Sequence, residues 1–398
     1  MTRRPAVLGG TPAFPDGLRL LKPTLPPFEN VGPRWQECFG TGALTKGQWL
    51  AEYERKLARH LGVQHAVAVS SCTAGLMLAL DRYRGRTALL PSFTFMATAM
   101  AVSWAGLDPV LCDVRQDTWC LDIESVLGAL DTRDLAPDEA VVIPVHVFGN
   151  PADTDVFDEL SQLTGLPVLY DSAHGFGALR DGAPIGAQGT AHVFSTSPTK
   201  LLITGEGGVV ATNDDAVAEH VIVGREYGNP GDYNAIFAGM NARMPEASAL
   251  LGIASLDLLE NEAQRRNALA AVYREALAGL PGLTFQSIRP QDRCSYKDFS
   301  LTIGPDFGLS RDEVALMLDR EGIPTRAYYV PAVHELTAFA GLADEFEDRL
   351  PVTRRLTREI ISLPIYGSLD EGEIELIAAC MRAGHEHAFK VRTTMSAI

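Results

Sequence analysis

One lysine, Lys200, stands between two apolar runs and beside several small residues. The run at 191–194 predicts a buried strand, and the loop after it carries hydroxyl groups that can donate hydrogen bonds to an anion: Ser195, Thr196, Ser197 and Thr199. Three glycines around Glu206 then permit a sharp turn into a second strand at 209–212. Burial makes a lysine cation costly and lowers its pKa, which frees the amine as a nucleophile. This stretch therefore predicts a lysine that forms an imine.

A carboxylate, Asp171, ends an apolar run at 167–171. The C-terminal end of a buried strand is where open α/β sheets place their ligands. Pyridoxal 5'-phosphate (PLP) needs an imine-forming lysine, a carboxylate against its pyridinium nitrogen and a cradle for its phosphate. Taken singly, Lys200 could be a surface residue in a turn and Asp171 a helix cap. Their order and setting together favour a PLP site.

A candidate phosphate cradle follows the apolar strand predicted at 66–69. The small residues at 70–75 lead directly into a predicted helix. Free backbone N–H groups and the helix dipole at such a turn both favour an anion. The alternative is that a serine simply caps this helix.

Several ordered motifs closely resemble those of the DegT/DnrJ/StrS family of sugar aminotransferases, from about residue 40 to the C-terminus. They are Leu90-Pro-Ser-Phe-Thr-Phe95, Asp171-Ser-Ala-His174, Phe194-Ser195 before Lys200, Gly205-Glu-Gly-Gly208 and Asn241-Ala-Arg-Met244. The resemblance implies the three-layer, aspartate-aminotransferase-like α/β fold of PLP-dependent transferases. That fold has a mainly parallel sheet and a smaller α+β C-terminal domain.

The resemblance also implies roles for individual residues. Lys200 would hold PLP as an imine, and Asp171 would keep the ring nitrogen protonated. The other residues implied to contact the cofactor are Cys72 and Thr73 at the phosphate, Phe95 on the ring face, His174, Ser195, and Asn241, which would reach the phosphate of the other subunit. Tyr328 and His334 are implied to bind substrate. From the residues alone, Phe95 could be a core aromatic, His174 a core histidine and Asn241 a helix cap.

Apolar strands alternate with helical segments from residue 66 to residue 224, which favours a mainly parallel sheet built from crossover connections. Residues 1 to about 44 are rich in proline and glycine and predict an extended arm. A long helical run at 246–280 is interpreted as the bridge to a smaller domain, and a further helix is predicted near 352–361. We therefore expect two units, the arm with a large PLP-binding domain at 1–250, and the bridging helix with a small domain at 251–398.

The composition restricts the classes of partner. The chain has 398 residues and a formal net charge of −16, which opposes binding to nucleic acid or to anionic membranes. Six scattered cysteines indicate reduced core thiols rather than disulfides or a zinc site, and His385 and His387 are too isolated for a metal site. No apolar run approaches membrane-spanning length, so a cytoplasmic protein is expected.

The predicted activity is transfer of an amino group from an amino acid, glutamate or glutamine, to a nucleotide-activated keto-sugar by a homodimer with shared active sites. An amino-cyclitol ketone is the alternative acceptor. A PLP-binding regulator without turnover is the alternative from another class, and the intact lysine, aspartate and phosphate turn disfavour it. Tyr170 stands where most relatives have Glu, so the sugar and the aminated carbon stay open.

Overall fold

The computed structural model describes residues 3–342, 346 and 348–395. The strands are β1 (His65–Val69), β2 (Thr87–Pro91), β3 (Asp108–Cys112), β4 (Ala140–Val142), β5 (Leu169–Asp171), β6 (Leu179–Arg180), β7 (Ala183–Pro184), β8 (Ala191–Ser195), β9 (Gly208–Thr212), β10 (Leu283–Phe285), β11 (Phe299–Ile303) and β12 (Ile360–Leu363). The helices are α1 (Gly32–Thr41), α2 (Gln48–Leu61), α3 (Cys72–Asp81), α4 (Met96–Trp104), α5 (Ile123–Thr132), α6 (Thr154–Thr164), α7 (Asp215–Gly224), α8 (Glu246–Leu256), α9 (Leu259–Ala276), α10 (Arg311–Arg320), α11 (Pro351–Glu359), α12 (Glu371–Glu386) and α13 (Ala388–Met395).

The strands that carry the candidate site form one sheet in the order β3-β2-β4-β5-β8-β9-β1, in which isolated bridges join β4 to β5. Neighbouring strands are parallel except where β9 pairs with β8 and β1. This confirms the predicted mainly parallel sheet. Asp171 at the end of β5 is in register with Val193 of β8. The carboxylate and the lysine loop after β8 therefore leave the sheet side by side.

Helix α3 approaches this sheet closely because its first turn contains a glycine. A Cβ on Gly75 would lie 2.8 Å from a methyl group of Val193 and 3.1 Å from one of Val210. Gly208, at the start of β9, also lies against this turn. A Cβ on Gly208 would be 2.5 Å from the backbone nitrogen of Cys72. Both glycines let the start of α3 lie directly against the strand ends.

A second sheet, in the order β10-β11-β12, is antiparallel.

Two helix predictions for the C-terminal part of the chain are wrong. The helical run at 246–280 is two helices, α8 and α9, that break near Asp257. The helix predicted up to Ile361 ends at Glu359 because two β-branched isoleucines begin β12 and pair with β11.

The N-terminal segment is less extended than predicted, since it contains α1. Its first residues are held by the carboxylate of Glu321, which is buried. That carboxylate accepts hydrogen bonds from Arg3 Nη2 (2.7 Å) and from the backbone N–H groups of Ala6 (2.7 Å) and Ala13 (2.9 Å). One side chain thus anchors the start of the chain to the end of α10. Within the described residues, no helix is long and apolar enough to cross a membrane.

Candidate active site

Lys200 lies in the loop between β8 and β9 and lines a cavity of about 380 Å³. Burial, and secondarily the nearby Lys297, lower the pKa of Lys200 from 10.5 to about 8. In the part of the chain that the structure describes, its Nζ makes no hydrogen bond or ion pair. Lys200 is therefore a largely desolvated amine that loses its proton at a lower pH than an ordinary lysine, as a nucleophilic lysine requires.

Asp171 lines the same cavity from the end of β5. Thr98 Oγ1 donates to its Oδ2 (2.7 Å), and the backbone N–H of Ala173 donates to its Oδ1 (3.0 Å). Burial raises the pKa of Asp171, whereas these hydrogen bonds and the charge of Lys200 act to lower it. Thr94 in turn hydrogen-bonds Thr98 (2.9 Å between hydroxyl oxygens). The carboxylate is held in one orientation, with the rest of its acceptor capacity left for a donor in the cavity.

The start of α3 forms the floor of the cavity. Ser71 caps the helix by accepting a hydrogen bond from the backbone N–H of Ala74 (3.1 Å), as the serine-cap interpretation predicts. The N–H groups of Cys72 and Thr73 belong to the first turn, where a helix offers no acceptor of its own, and both residues line the cavity. The cap therefore does not prevent this turn from serving as an anion cradle, and that role stays a prediction.

Three more predicted residues line the cavity. Ser195 is buried at the end of β8, whereas Phe95 precedes α4 with 51% of its surface exposed. His174 is half-buried, and its Nδ1 is inaccessible to solvent and has no hydrogen-bond partner among the described residues. Burial lowers the pKa of His174 well below its usual value, so the ring is neutral. A buried nitrogen without a partner is costly unless a bound group completes it.

These features fit PLP. One cavity brings together an amine of lowered pKa, a fixed carboxylate on the neighbouring strand, two N–H groups at a helix start and a histidine nitrogen. The N–H groups and the histidine nitrogen have no partner among the described residues. Each matches a group on the cofactor: the aldehyde, the ring nitrogen, the phosphate and a ring substituent. A Cβ on Gly207 would lie within 2.6 Å of the hydroxyl oxygens of Thr204 and Thr196. The loop that carries Lys200 can therefore adopt this conformation only with glycine at position 207.

The remaining predicted residues divide into two groups. Tyr328 lines the cavity. His334 does not, since it is buried and its Nδ1 lies 2.7 Å from Ser92 Oγ. Asn241 is exposed outside the cavity, in a β-bridge with Glu226. The roles of all three stay predictions.

Sequence reasoning missed Thr98 and the pair Lys297 and Asp298, which line or support the cavity. Thr98 has a usable signal, because it lies one helical turn after Phe95. Two adjacent charges directly before β11, in which Phe299, Leu301 and Ile303 are apolar, were a second signal, since charges are seldom buried without a partner.

Comparisons with known proteins agree with this geometry. Residues 29–382 match the model of the DegT/DnrJ/EryC1/StrS aminotransferase family. The chain is 35% identical over 329 residues to the dTDP-3-amino-3,4,6-trideoxy-alpha-D-glucose transaminase of Streptomyces venezuelae, covering 82% of this chain and 84% of that protein. It is 28% identical over 354 residues to the dTDP-4-amino-4,6-dideoxy-D-glucose transaminase of Escherichia coli, covering 88% and 94%.

A solved structure of DesI in the presence of its TDP-sugar product is similar along nearly the whole chain. The TM-score is 0.88 at 32% sequence identity, with 98% of each chain covered. This similarity confirms the predicted fold class.

Proposed function

The chain belongs to the DegT/DnrJ/EryC1/StrS aminotransferase family, and on this premise we propose that it transfers an amino group from an amino acid to a nucleotide-linked keto-sugar, with PLP as its cofactor. One observation carries the proposal. Lys200, with its lowered pKa, shares a single cavity with the fixed carboxylate of Asp171 and the free helix start at Cys72 and Thr73. Both relatives described above are named as transaminases of dTDP-linked amino sugars.

Bound PLP supplies an electron-accepting ring that lets a neighbouring carbon release its proton. The residues of this chain provide the remaining functions. Lys200 Nζ would hold the cofactor as an imine, and its lowered pKa would let the free amine accept and return a proton at that nitrogen. Asp171 holds a proton on the ring nitrogen, and Thr98 fixes the orientation of that carboxylate. Glutamate or glutamine is the donor that the family resemblance implies.

Other residues bind and orient. The N–H groups of Cys72 and Thr73 hold the phosphate, and the hydroxyl of Ser195 lies on the same wall. His174 would offer one hydrogen bond to the cofactor, since its Nδ1 has no partner among the described residues. Phe95 presents an aromatic side chain to the cavity, which would pack against the cofactor and keep water from it. Its half-exposed position suits a residue that a ligand covers.

The first experiment asks which lysine holds the cofactor. The purified protein should be yellow, and borohydride reduction followed by peptide mapping should place the pyridoxyl group on Lys200. Lys297 is the matched control, because it is a second lysine on the same cavity. Lys200→Ala should lose the label and all transamination while Lys297→Met keeps the label. A pyridoxyl group on Lys297 in the unaltered protein would contradict the assignment.

The second experiment identifies the substrates. Purified protein is incubated with glutamate or glutamine and a panel of dTDP-linked keto-sugars, and amino-sugar products are detected by mass spectrometry. Formation of an amino sugar supports the proposal. If the protein converts the donor to its oxo acid but aminates only cyclitol ketones, the acceptor class is wrong.

We further propose a homodimer with shared active sites. Asn241 is exposed and is not among the described residues that line the Lys200 cavity of its own chain, as expected for a residue that serves a partner. Large apolar side chains are exposed on the N-terminal segment and on the loop before Asn241, and a second copy would cover them: Leu25, Phe28, Phe39, Leu44, Tyr233 and Ile236. Patches of this kind mark interaction surfaces.

Mixing inactive variants tests this arrangement. Lys200→Ala chains and Asn241→Ala chains should each be inactive, but a hybrid dimer has one site with both lesions and one with neither. Activity should therefore return when the two are mixed and allowed to exchange subunits. Mass spectrometry shows whether hybrid dimers have formed. Hybrid dimers without recovered activity would contradict the shared site.

A further inference from the structure

Opposite Lys200, the cavity wall holds a buried ion pair of consecutive residues. Lys297 Nζ lies 2.8 Å from Asp298 Oδ1 and 3.0 Å from Oδ2, and both residues line the cavity just before β11. Only 5% of Lys297 and 4% of Asp298 is exposed. The ammonium also lies 5.1 Å from the centre of the Tyr328 ring, within the range of a cation–π contact.

Stability alone is a weak reason for such a pair. Desolvating two charges costs about as much as their attraction returns, so apolar residues of similar volume usually serve a fold at least as well. The backbone at this point is already fixed, because the N–H of Lys297 donates to the carbonyl of Phe148 (3.1 Å). The pair is therefore better explained as a binding site for a ligand in the cavity.

The pair has unused hydrogen-bonding capacity of both kinds. An ammonium has three N–H donors and a carboxylate about four acceptor positions, and their mutual contact uses only part of each. Its net charge is zero, because the ammonium is already neutralised by both oxygens of Asp298. A donor and an acceptor side by side, without net charge, suit a hydroxyl group, which both accepts and donates.

We propose that Lys297 and Asp298 bind ring hydroxyl groups of the keto-sugar acceptor, with Tyr328 holding the ammonium in place. This assignment rests on the proposed sugar aminotransferase function and specifies part of its acceptor site. The competing occupant is the carboxylate of the amino donor. A free cation would attract that carboxylate, whereas here Asp298 lies as close to the ammonium as a bound carboxylate would.

A double variant, Lys297→Met with Asp298→Asn, tests the assignment without altering the net charge of the cavity. Transamination consists of two half-reactions that can be followed separately in the visible spectrum of the cofactor: donor with the PLP form, then keto-sugar with the aminated form. The matched control is Lys56→Met with Glu52→Gln, which removes an ion pair on the surface of α2. Retention of the cofactor spectrum shows that each variant is folded.

In the double variant, kcat/KM of the keto-sugar half-reaction should fall about 10- to 100-fold, mainly through KM, as expected for lost hydrogen bonds to charged groups. The donor half-reaction should stay within about threefold of the unaltered enzyme. Acceptors that lack one ring hydroxyl should be poor for the unaltered enzyme, and the variant should no longer distinguish them from the parent sugar.

Three results overturn the assignment. A loss in the donor half-reaction as large as in the acceptor half-reaction would show that the pair binds the donor or acts on Lys200. Unchanged kinetics in both half-reactions would make the pair structural. If the unaltered enzyme converts the donor but aminates no keto-sugar, the proposed function fails and this assignment fails with it. In the first two cases amination of the sugar by the unaltered enzyme leaves the proposed function intact.

Discussion

Replacing Lys200 with methionine should stabilise the protein once it is freed of cofactor. In the folded state the pKa of Lys200 falls from 10.5 to about 8. Below pH 8 both the folded and the unfolded chain carry the charged lysine, and the folded chain bears the whole penalty of burying it. Because the unfolded chain binds more protons between pH 8 and pH 10.5, stability rises with pH across that window.

The size of this effect follows from the two pKa values. The two pKa values differ by about 2.5, and each pKa unit corresponds to about 1.36 kcal/mol. Burial of the charged lysine therefore lowers the free energy of unfolding by about 3 kcal/mol at pH 7. By pH 10 the folded chain has lost the proton on Lys200, and about a quarter of the unfolded chains have lost it as well, so the penalty shrinks to about 1 kcal/mol. Methionine has similar length and no charge, so Lys200→Met should remove this penalty.

Urea unfolding of the cofactor-free proteins at pH 7 and pH 10, at equal protein concentration, measures the difference. Other groups that titrate at pH 10 do so in both proteins and cancel. Lys46→Met, at an exposed lysine, should show no such change with pH. A stabilisation by Lys200→Met that is equal at both pH values would arise from packing and would refute the reasoning about charge.

Three further outcomes are expected. Asp171→Asn should still bind PLP but lose about 100- to 1,000-fold in kcat, because an amide cannot hold the ring nitrogen protonated; near-normal turnover would rule out that role. Thr98→Val should lower kcat/KM about 10- to 100-fold and move the acid limb of its pH profile upward, since a carboxylate that loses a donor has a higher pKa and is protonated sooner as the pH falls. Thr98→Ser should restore both, and equal profiles for the two variants would exclude the hydroxyl. Glu321→Gln should speed hydrogen exchange at the Ala6 and Ala13 amides about tenfold or more, because it weakens charge-assisted bonds; unchanged exchange would show that other contacts hold the segment.

The strand–helix alternation could be predicted from the sequence because strands buried on both faces read as continuous apolar runs. Helix ends were harder, as at Ile360, where a β-branched pair continues an amphipathic helical pattern into a strand. The helix at 32–41 was hidden by its glycines and proline, since Pro33 is tolerated in a first helical turn.

For the candidate site, residues with distinctive chemistry in ordered motifs were accessible from the sequence. Lys200 and Asp171 belong to that group, and the structure brings them to one cavity. Thr98 had only a weak signal, its position one helical turn after Phe95, because a threonine within a helix has many ordinary explanations and only the fold brings it to Asp171. Lys297 and Asp298 come from a distant part of the chain, and their presence on the cavity depends on how the second sheet meets the first.

The anchoring of the first residues by Glu321 has a consequence for synthesis on the ribosome. Arg3, Ala6 and Ala13 emerge more than three hundred residues before the carboxylate that binds them. At translation rates of about 5–20 residues per second, the segment waits roughly 15–60 seconds for its partner. The earliest part of the nascent chain is thus among the last to reach its native contacts, and it must stay unattached while the central sheet is still being made.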